Sequence, residues 1–217
     1  MARLSRVERR AQTREKILAT ARRVFLRRGF HAATLDEIAE EAGYSKGAVY
    51  SNFAAKDDLF LAVFDENIER RRVDYACVAL DAATFEEGVR AVARHMQELA
   101  RRDPEWQPLV VEFWTHACRS DTLRARMLRR RERVLETQGA IIADLAARHG
   151  VTLLIPAEEI VRGASAIGRG LALDQALDPA SVPAALFERM FAAFINGVTT
   201  RGDPDDHDDG RADGRHH

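Results

Sequence analysis

Gly43, Tyr44, Ser45, Lys46, Gly47 and Tyr50 sit within eight positions, directly after a strongly basic segment. A packed core has no use for that mixture. Ser45 and Tyr50 offer hydroxyls to phosphate oxygens. Lys46 can donate to guanine O6 or N7, or to a phosphate. Gly47 and Ala48 carry little side chain, so a backbone at this point can come close to another surface. Ala48 can also touch a thymine methyl. Thr34, at the start of the preceding helix, supplies a natural anion site at a helix N-terminus. The chemistry is recognition of an anionic polymer rather than bond cleavage.

The elements that must position these residues are helical. Ile17, Leu18, Ala21, Val24 and Phe25 recur at helical spacing, and Gly29 is expected to end that helix. Thr34 and Glu37 read as a capping box, followed by Leu35, Ile38, Ala39 and Ala42. Gly43 stops this second helix. Ser45 caps a third, with Val49 and Phe53 facing inward. Two helices joined by a short glycine turn are the helix-turn-helix pattern, whose second helix enters the DNA major groove. Helical hairpins with polar surfaces show the same spacing, so the pattern alone leaves both readings open.

Charge adds to the DNA reading. Residues 1–56 carry twelve Lys and Arg against six Asp and Glu, a surplus of +6. Residues 57–200 carry 18 against 22 and residues 201–217 carry 3 against 6, for −4 and −3. A basic head on a mildly acidic body suits an anionic partner at one end. It argues against a general DNA-packaging protein, which needs a wide basic surface. The 217 residues contain 46% hydrophobic residues but no run long enough for a membrane helix, and the N-terminal MARLSRVERRAQTREK has no apolar h-region, so a secretory signal is not expected there. A cytoplasmic protein is expected. Two cysteines, Cys77 and Cys118, without a CxxC, make a disulfide framework or metal site unexpected. They are read as buried structural thiols, with a thiol-responsive switch as the alternative. No GxSxG, HExxH, P-loop or GxGxxG stands in a fitting context, and His116 and Cys118 are spaced to miss each other on a helix. No enzyme, cofactor or metal is expected.

The run Thr34-Leu35-Asp36-Glu37-Ile38-Ala39-Glu40-Glu41-Ala42-Gly43-Tyr44-Ser45-Lys46-Gly47-Ala48-Val49-Tyr50-Ser51-Asn52-Phe53, with Lys56-Asp57-Asp58-Leu59 after it, resembles the DNA-binding domain of the tetracycline-repressor (TetR) family. The resemblance covers about residues 10–60. It implies an all-α homodimer of about nine helices: a three-helix DNA-binding head and a larger body that binds a ligand and dimerises. It implies that Thr34, Tyr44, Tyr50, Asn52 and Lys56 meet phosphates, and that Ser45, Lys46, Gly47 and Ala48 lie nearest the bases. It implies repression as the usual mode, an activator being the alternative. Ala55 departs from the family, which often has a capping Ser or Asn there; Asp57 and Asp58 can compensate through the helix dipole.

The domains expected are a head at 1–56, a body at 57–200 and a disordered acidic, His-containing tail at 201–217. The body reads as further helices with no convincing strand. One runs from Asp57 to about Leu80. Thr84 and Glu87 make a second capping box. Residues 109–118 are apolar on most faces and are expected to be buried. Long helices follow from Asp121 and Pro156, and Ser181 is expected to cap the last. Small residues Gly163, Ala164, Ala166, Gly168 and Gly170, with Ile167, Leu171, Phe187, Met190, Phe191 and Phe194, are the dimer candidates. His95, Met96, Leu99, Trp106, Phe113, Trp114, His116, Cys118 and Met127 are candidates for a small-molecule pocket. The expected partners are double-stranded operator DNA, a small hydrophobic effector and a second copy of the chain.

Overall fold

The computed structural model describes residues 5–183 and 185–201; the expected tail, from residue 202 on, lies outside them. Nine helices and two short strands follow in order among the described residues: α1 (Arg6–Ala32), α2 (Leu35–Ala42), α3 (Lys46–Tyr50), α4 (Lys56–Leu80), α5 (Phe85–Arg102), α6 (Trp106–Ala117), α7 (Asp121–Arg148), β1 (Val151–Leu153), α8 (Ala157–Leu177), α9 (Leu186–Gly197) and β2 (Thr199–Arg201). The expected all-α class with an N-terminal helix-turn-helix is what the chain adopts. No helix among the described residues is long and apolar enough to cross a membrane.

Local signals act largely as the sequence implies. Thr34 Oγ1 accepts the Glu37 N–H at 3.1 Å, and Ser45 Oγ accepts the Ala48 N–H at 3.2 Å. Gly43 takes the left-handed conformation that closes α2. Several expectations need correction. Only half of the Thr34 capping box forms, because the Glu37 carboxylate turns to Arg27 and Arg28. Ser181 does not cap α9; its hydroxyl donates to Asp178 O at 2.7 Å and closes the end of α8 instead. Two strands do form: β1 and β2 pair antiparallel, Thr152 opposite Thr200. Ala55 has no capping oxygen, and Asp58 compensates by accepting the Ala55 N–H at 3.1 Å.

The apolar interior forms two clusters. The first joins α1–α3 and the first half of α4 to α6 and the start of α7, through residues such as Phe25, Phe30, Phe60, Phe113 and Leu123. The second joins the end of α4 to α5, α8, α9 and the second half of α7. The core therefore does not divide at residue 57. Phe113 of α6 stacks on Phe60 of α4 with ring centroids 4.1 Å apart, and meets Phe30 of α1 edge-on at 5.0 Å.

Polar contacts tie the same seam. At Gly29 the helix α1 breaks, with φ 76° and ψ 171°. That conformation is open essentially to glycine alone. The break frees two amides, and Glu112 of α6 takes both: Phe30 N–H and His31 N–H each donate to its carboxylate at 2.9 Å. Lys56 Nζ donates to His31 O at 3.0 Å and Ala33 O at 2.9 Å. Arg22 meets Asp103 at 2.5 Å, Arg126 meets Asp58 at 2.6 Å, and Arg130 meets Asp65 at 2.8 Å.

Substituting Gly29→Ala forces a forbidden backbone and drives a Cβ to within 2.8 Å of Glu112 Oε2. We expect a loss of about 1–3 kcal/mol in urea unfolding. Glu112→Ala should cost about 1.5–3 kcal/mol, since it strands two amides that had a charged acceptor. The double variant should lose less than the sum, because both changes dismantle one joint.

Candidate nucleic-acid interface and interior cavity

α2 and α3 present the surface that the sequence singles out. Ser45, Lys46, Gly47 and Tyr50 are exposed at and along α3, while Val49 is fully buried and anchors it. A Cβ at Gly47 would meet only Ser45 Oγ, at 4.0 Å, so the chain's own packing does not require glycine there. Ala48 is half-buried. Lys46 Nζ pairs with Asp36 at 2.6 Å, and that carboxylate raises the ammonium pKa. Thr34 is exposed at the α2 N-terminus.

Three residues in the same group face elsewhere. Tyr44 is half-buried against the head core. Asn52 Nδ2 donates to Ala48 O at 2.8 Å and closes α3. Lys56 points into the turn between α1 and α2, its ammonium 4.7 Å from the Phe30 ring centroid, and burial lowers its pKa. Asn52 thus closes α3, while Tyr44 and Lys56 tie into the core and the α1–α2 turn. On α1, Arg6, Arg9, Arg10, Arg14 and Lys16 form no ion pair among the described residues. Arg10 donates to Ser51 O at 3.5 Å and Arg14 lies over the Phe53 ring, so this basic stretch runs beside the end of α3.

The body holds a partly open cavity of about 200 Å³ between α4, α5, α6, α7, α8 and α9. It lies between the two apolar clusters: Phe64, Trp106 and Met127 come from one, Leu145, Ile160 and Phe191 from the other. Of the nine pocket candidates, Met96, Trp106, Trp114 and Met127 line it. The other five do not. Phe113 is in the core behind α6, and His116 lies 3.3 Å from Asp57 and beside the Phe30 ring. His95 lies 3.6 Å from Asp74, Leu99 is half-buried elsewhere on α5, and Cys118 is exposed.

The helix α6 explains this division. Trp106, Val110 and Trp114, four residues apart, face the cavity, while Leu109, Glu112 and Phe113 face the head. The helix is buried on these two faces rather than on most. Polar lining residues that the aromatic cluster did not reveal are Arg71, Tyr75, Gln107, Arg131, Gln138, Ser165 and Arg169. Burial pushes the Tyr75 phenol up, with Arg71 partly opposing it.

The dimer candidates divide as well. Phe187, Phe191 and Gly168 are buried within the chain. A Cβ at Gly168 would come within 2.4 Å of Met96 Cε, and one at Gly163 within 2.5 Å of the Phe194 ring, so these glycines serve packing inside the chain. Ala164, Ile167, Leu171 and Phe194 are half-buried and Met190 is 42% exposed; Ala166 and Gly170 are also exposed. Cys77 and Cys118 are free and exposed, not buried as the sequence implied.

Comparison with known proteins agrees with this architecture. The family model described as bacterial regulatory proteins, tetR family, matches residues 17–63, and that described as BetI-type transcriptional repressor, C-terminal, matches residues 85–212. The chain is 46% identical over 67 residues to the transcriptional activator FasR of Mycolicibacterium smegmatis, covering 31% of this chain and 29% of that protein. It is 43% identical over 76 residues to the repressor BepR of Brucella suis, covering 35% and 34%. It thus matches about a third of the length of these two relatives. A longer match, 30% identical, covers 84% of this chain and 87% of the regulator BetI of Rhizobium meliloti. Among solved structures, a TetR-family regulator from Mesorhizobium loti superposes with a TM-score of 0.70 at 23% identity, over 87% of this chain and 96% of that one. A regulator from Saccharomonospora viridis in complex with choline gives 0.64 at 22%, over 88% and 100%. FadR from Bacillus subtilis in complex with stearoyl-CoA gives 0.66 at 16%, over 85% and 98%. The helix-turn-helix head, the helical body and both family matches lead to one conclusion: this chain belongs to the TetR family of DNA-binding transcriptional regulators.

Proposed function

We propose that the protein is a repressor that binds a palindromic operator as a homodimer and lets go when a small hydrophobic effector enters the body cavity. In this reading residues 1–56 act as the DNA-binding head and residues 57–200 as the effector-binding and dimerising body, in the cytoplasm. Ser45, Lys46, Gly47 and Ala48 face the bases, and Thr34 and Tyr50 meet phosphates. Tyr44, Asn52 and Lys56 belong to the same site, chiefly as its supports. Two heads are needed because one short helix reads few base pairs, and they must sit roughly 34–36 Å apart or a multiple of that. The partly exposed faces of α8 and α9, with Met190, Ala164, Ile167, Leu171 and Phe194, are the surface we assign to the second copy.

One observation carries the coupling. The helix α6 turns Val110 and Trp114 to the cavity and Glu112 and Phe113 to the head. An effector that displaces α6 therefore acts on the Gly29 joint and on Phe30 and Phe60 through direct contact. The long helix α4 reaches both ends, lining the cavity with Phe64 and Ile68 and starting at the head with Lys56. Tilting either helix alters the separation of the two heads. The names of relatives favour repression without excluding the opposite sign, since the body matches a repressor description and FasR is an activator.

A gel shift on DNA upstream of the protein's own coding region should show retardation that survives excess random duplex. Tyr50→Ala combined with Lys46→Ala should abolish it, and the unaltered protein failing to select any duplex from a random pool would refute the DNA reading. Deleting the gene should raise transcription from the bound promoter; a fall would make the protein an activator. An effector should bind more weakly to the operator complex than to free protein, by the same factor that it weakens operator binding. Equal affinities would remove the coupling.

A further inference from the structure

The cavity wall contains three arginines, Arg71, Arg131 and Arg169, and no aspartate or glutamate. None of the three has a carboxylate within ion-pair distance among the described residues. Two of them share one aromatic ring: the Arg131 and Arg169 guanidiniums lie 5.0 and 4.1 Å from the centroid of Trp114. Arg71 lies 5.9 Å from the centroid of Trp106. Arginine does not escape burial by losing its proton, so these charges stay. Desolvation disfavours the charged form of both Arg131 and Arg169, and Arg131 adds repulsion at Arg169. Holding like charges together in a half-buried apolar setting without a counter-ion is costly. The indole face returns part of that cost, but a ring quadrupole is a weaker partner than an anion. The remaining wall, including Val134, Ile141 and Ile142, is apolar.

We propose that the effector is an amphiphilic anion, with a carboxylate or phosphate head held by Arg131 and Arg169 beside Trp114 and an apolar body in the rest of the cavity. This rests on the effector reading above and names its chemistry. A planar guanidinium pair offers forked donors that match either oxyanion. An amphiphilic cation is disfavoured twice. It would add charge to a positive wall, and the aromatic surface that ordinarily holds a quaternary ammonium already carries guanidinium groups. The neighbours that bind choline and stearoyl-CoA share the fold, so the fold does not choose the sign of the ligand; the side chains in this cavity do.

The test is isothermal titration of the full-length protein with four ligands of one chain length, kept below their micellar concentrations: dodecanoate, dodecyl phosphate, dodecan-1-ol and dodecyltrimethylammonium. At least one anion should bind about tenfold or more tightly than the alcohol, as charge-assisted hydrogen bonds require. The ammonium should bind most weakly. Whichever anion is preferred distinguishes a carboxylate from a phosphate source. In Arg169→Gln, and separately in Arg131→Gln, the advantage of the anion over the alcohol should shrink towards onefold while alcohol binding is kept. If either variant does not fold, the head-group series on the unaltered protein still decides. Alcohol or ammonium binding as tightly as both anions would overturn the proposal and leave the effector cavity standing. Binding of none of the four would overturn the cavity reading and this proposal together.

Discussion

Two backbone amides and one carboxylate hold this molecule's two ends in register. The backbone of α1 leaves its helical path at Gly29, and the N–H groups of Phe30 and His31 turn towards Glu112 of α6. Everything on the DNA side is referenced to that point. Phe30, placed by the break, meets Phe25, Phe60 and Phe113. Lys56 closes the same turn from the start of α4, and α2 begins a few residues on. A glycine, a glutamate from more than eighty positions away and a lysine thus fix how the recognition helix is carried by the body.

The two ends are joined without being fused. One apolar cluster supports the head and the other supports α5, α8 and α9, and the cavity occupies the space between them. That placement sets the cavity between the head's core and the rest of the body. Ion pairs of Arg126 with Asp58 and of Arg130 with Asp65 tie α7 to α4, while α6 turns one face to the cavity and another to the head. Under the proposed function, filling the cavity would act on the head through α6 directly, with no need of a long chain of intermediates.

The parts of this design legible in the sequence are the local ones. Ser45 before α3, Thr34 before α2 and Gly43 between them act over three or four residues, so their meaning survives without knowledge of the fold. The strands β1 and β2 were not legible, because three residues cannot display an alternating pattern. The cavity was legible only in part. Helix α6 is apolar on two faces, so periodicity could not say that Trp114 turns inward and Phe113 towards the head. The run Arg129-Arg130-Arg131 falls within a single turn of α7. At about 100° per residue three neighbours cannot share one side. Arg129 is exposed, Arg130 pairs with Asp65 and Arg131 reaches the cavity. That angular argument was available from the sequence and was the missing signal.

The sharing of one core between head and α6 also bears on modular engineering. A head swap cut at the end of α3 would treat the N-terminal unit as a cassette. Such a cassette would leave behind Phe60 of α4 and Trp106, Leu109, Val110, Phe113 and Ala117 of α6, which line the same apolar cluster as Phe25 and Phe30. It would arrive in a new host with an uncovered hydrophobic face and two unpaired amides at its bend. A transferable cassette from this chain has to bring its α4 and α6 surfaces along, or the recipient's helices have to be rewritten to cover Phe25 and Phe30 and to supply an acceptor where Glu112 stands.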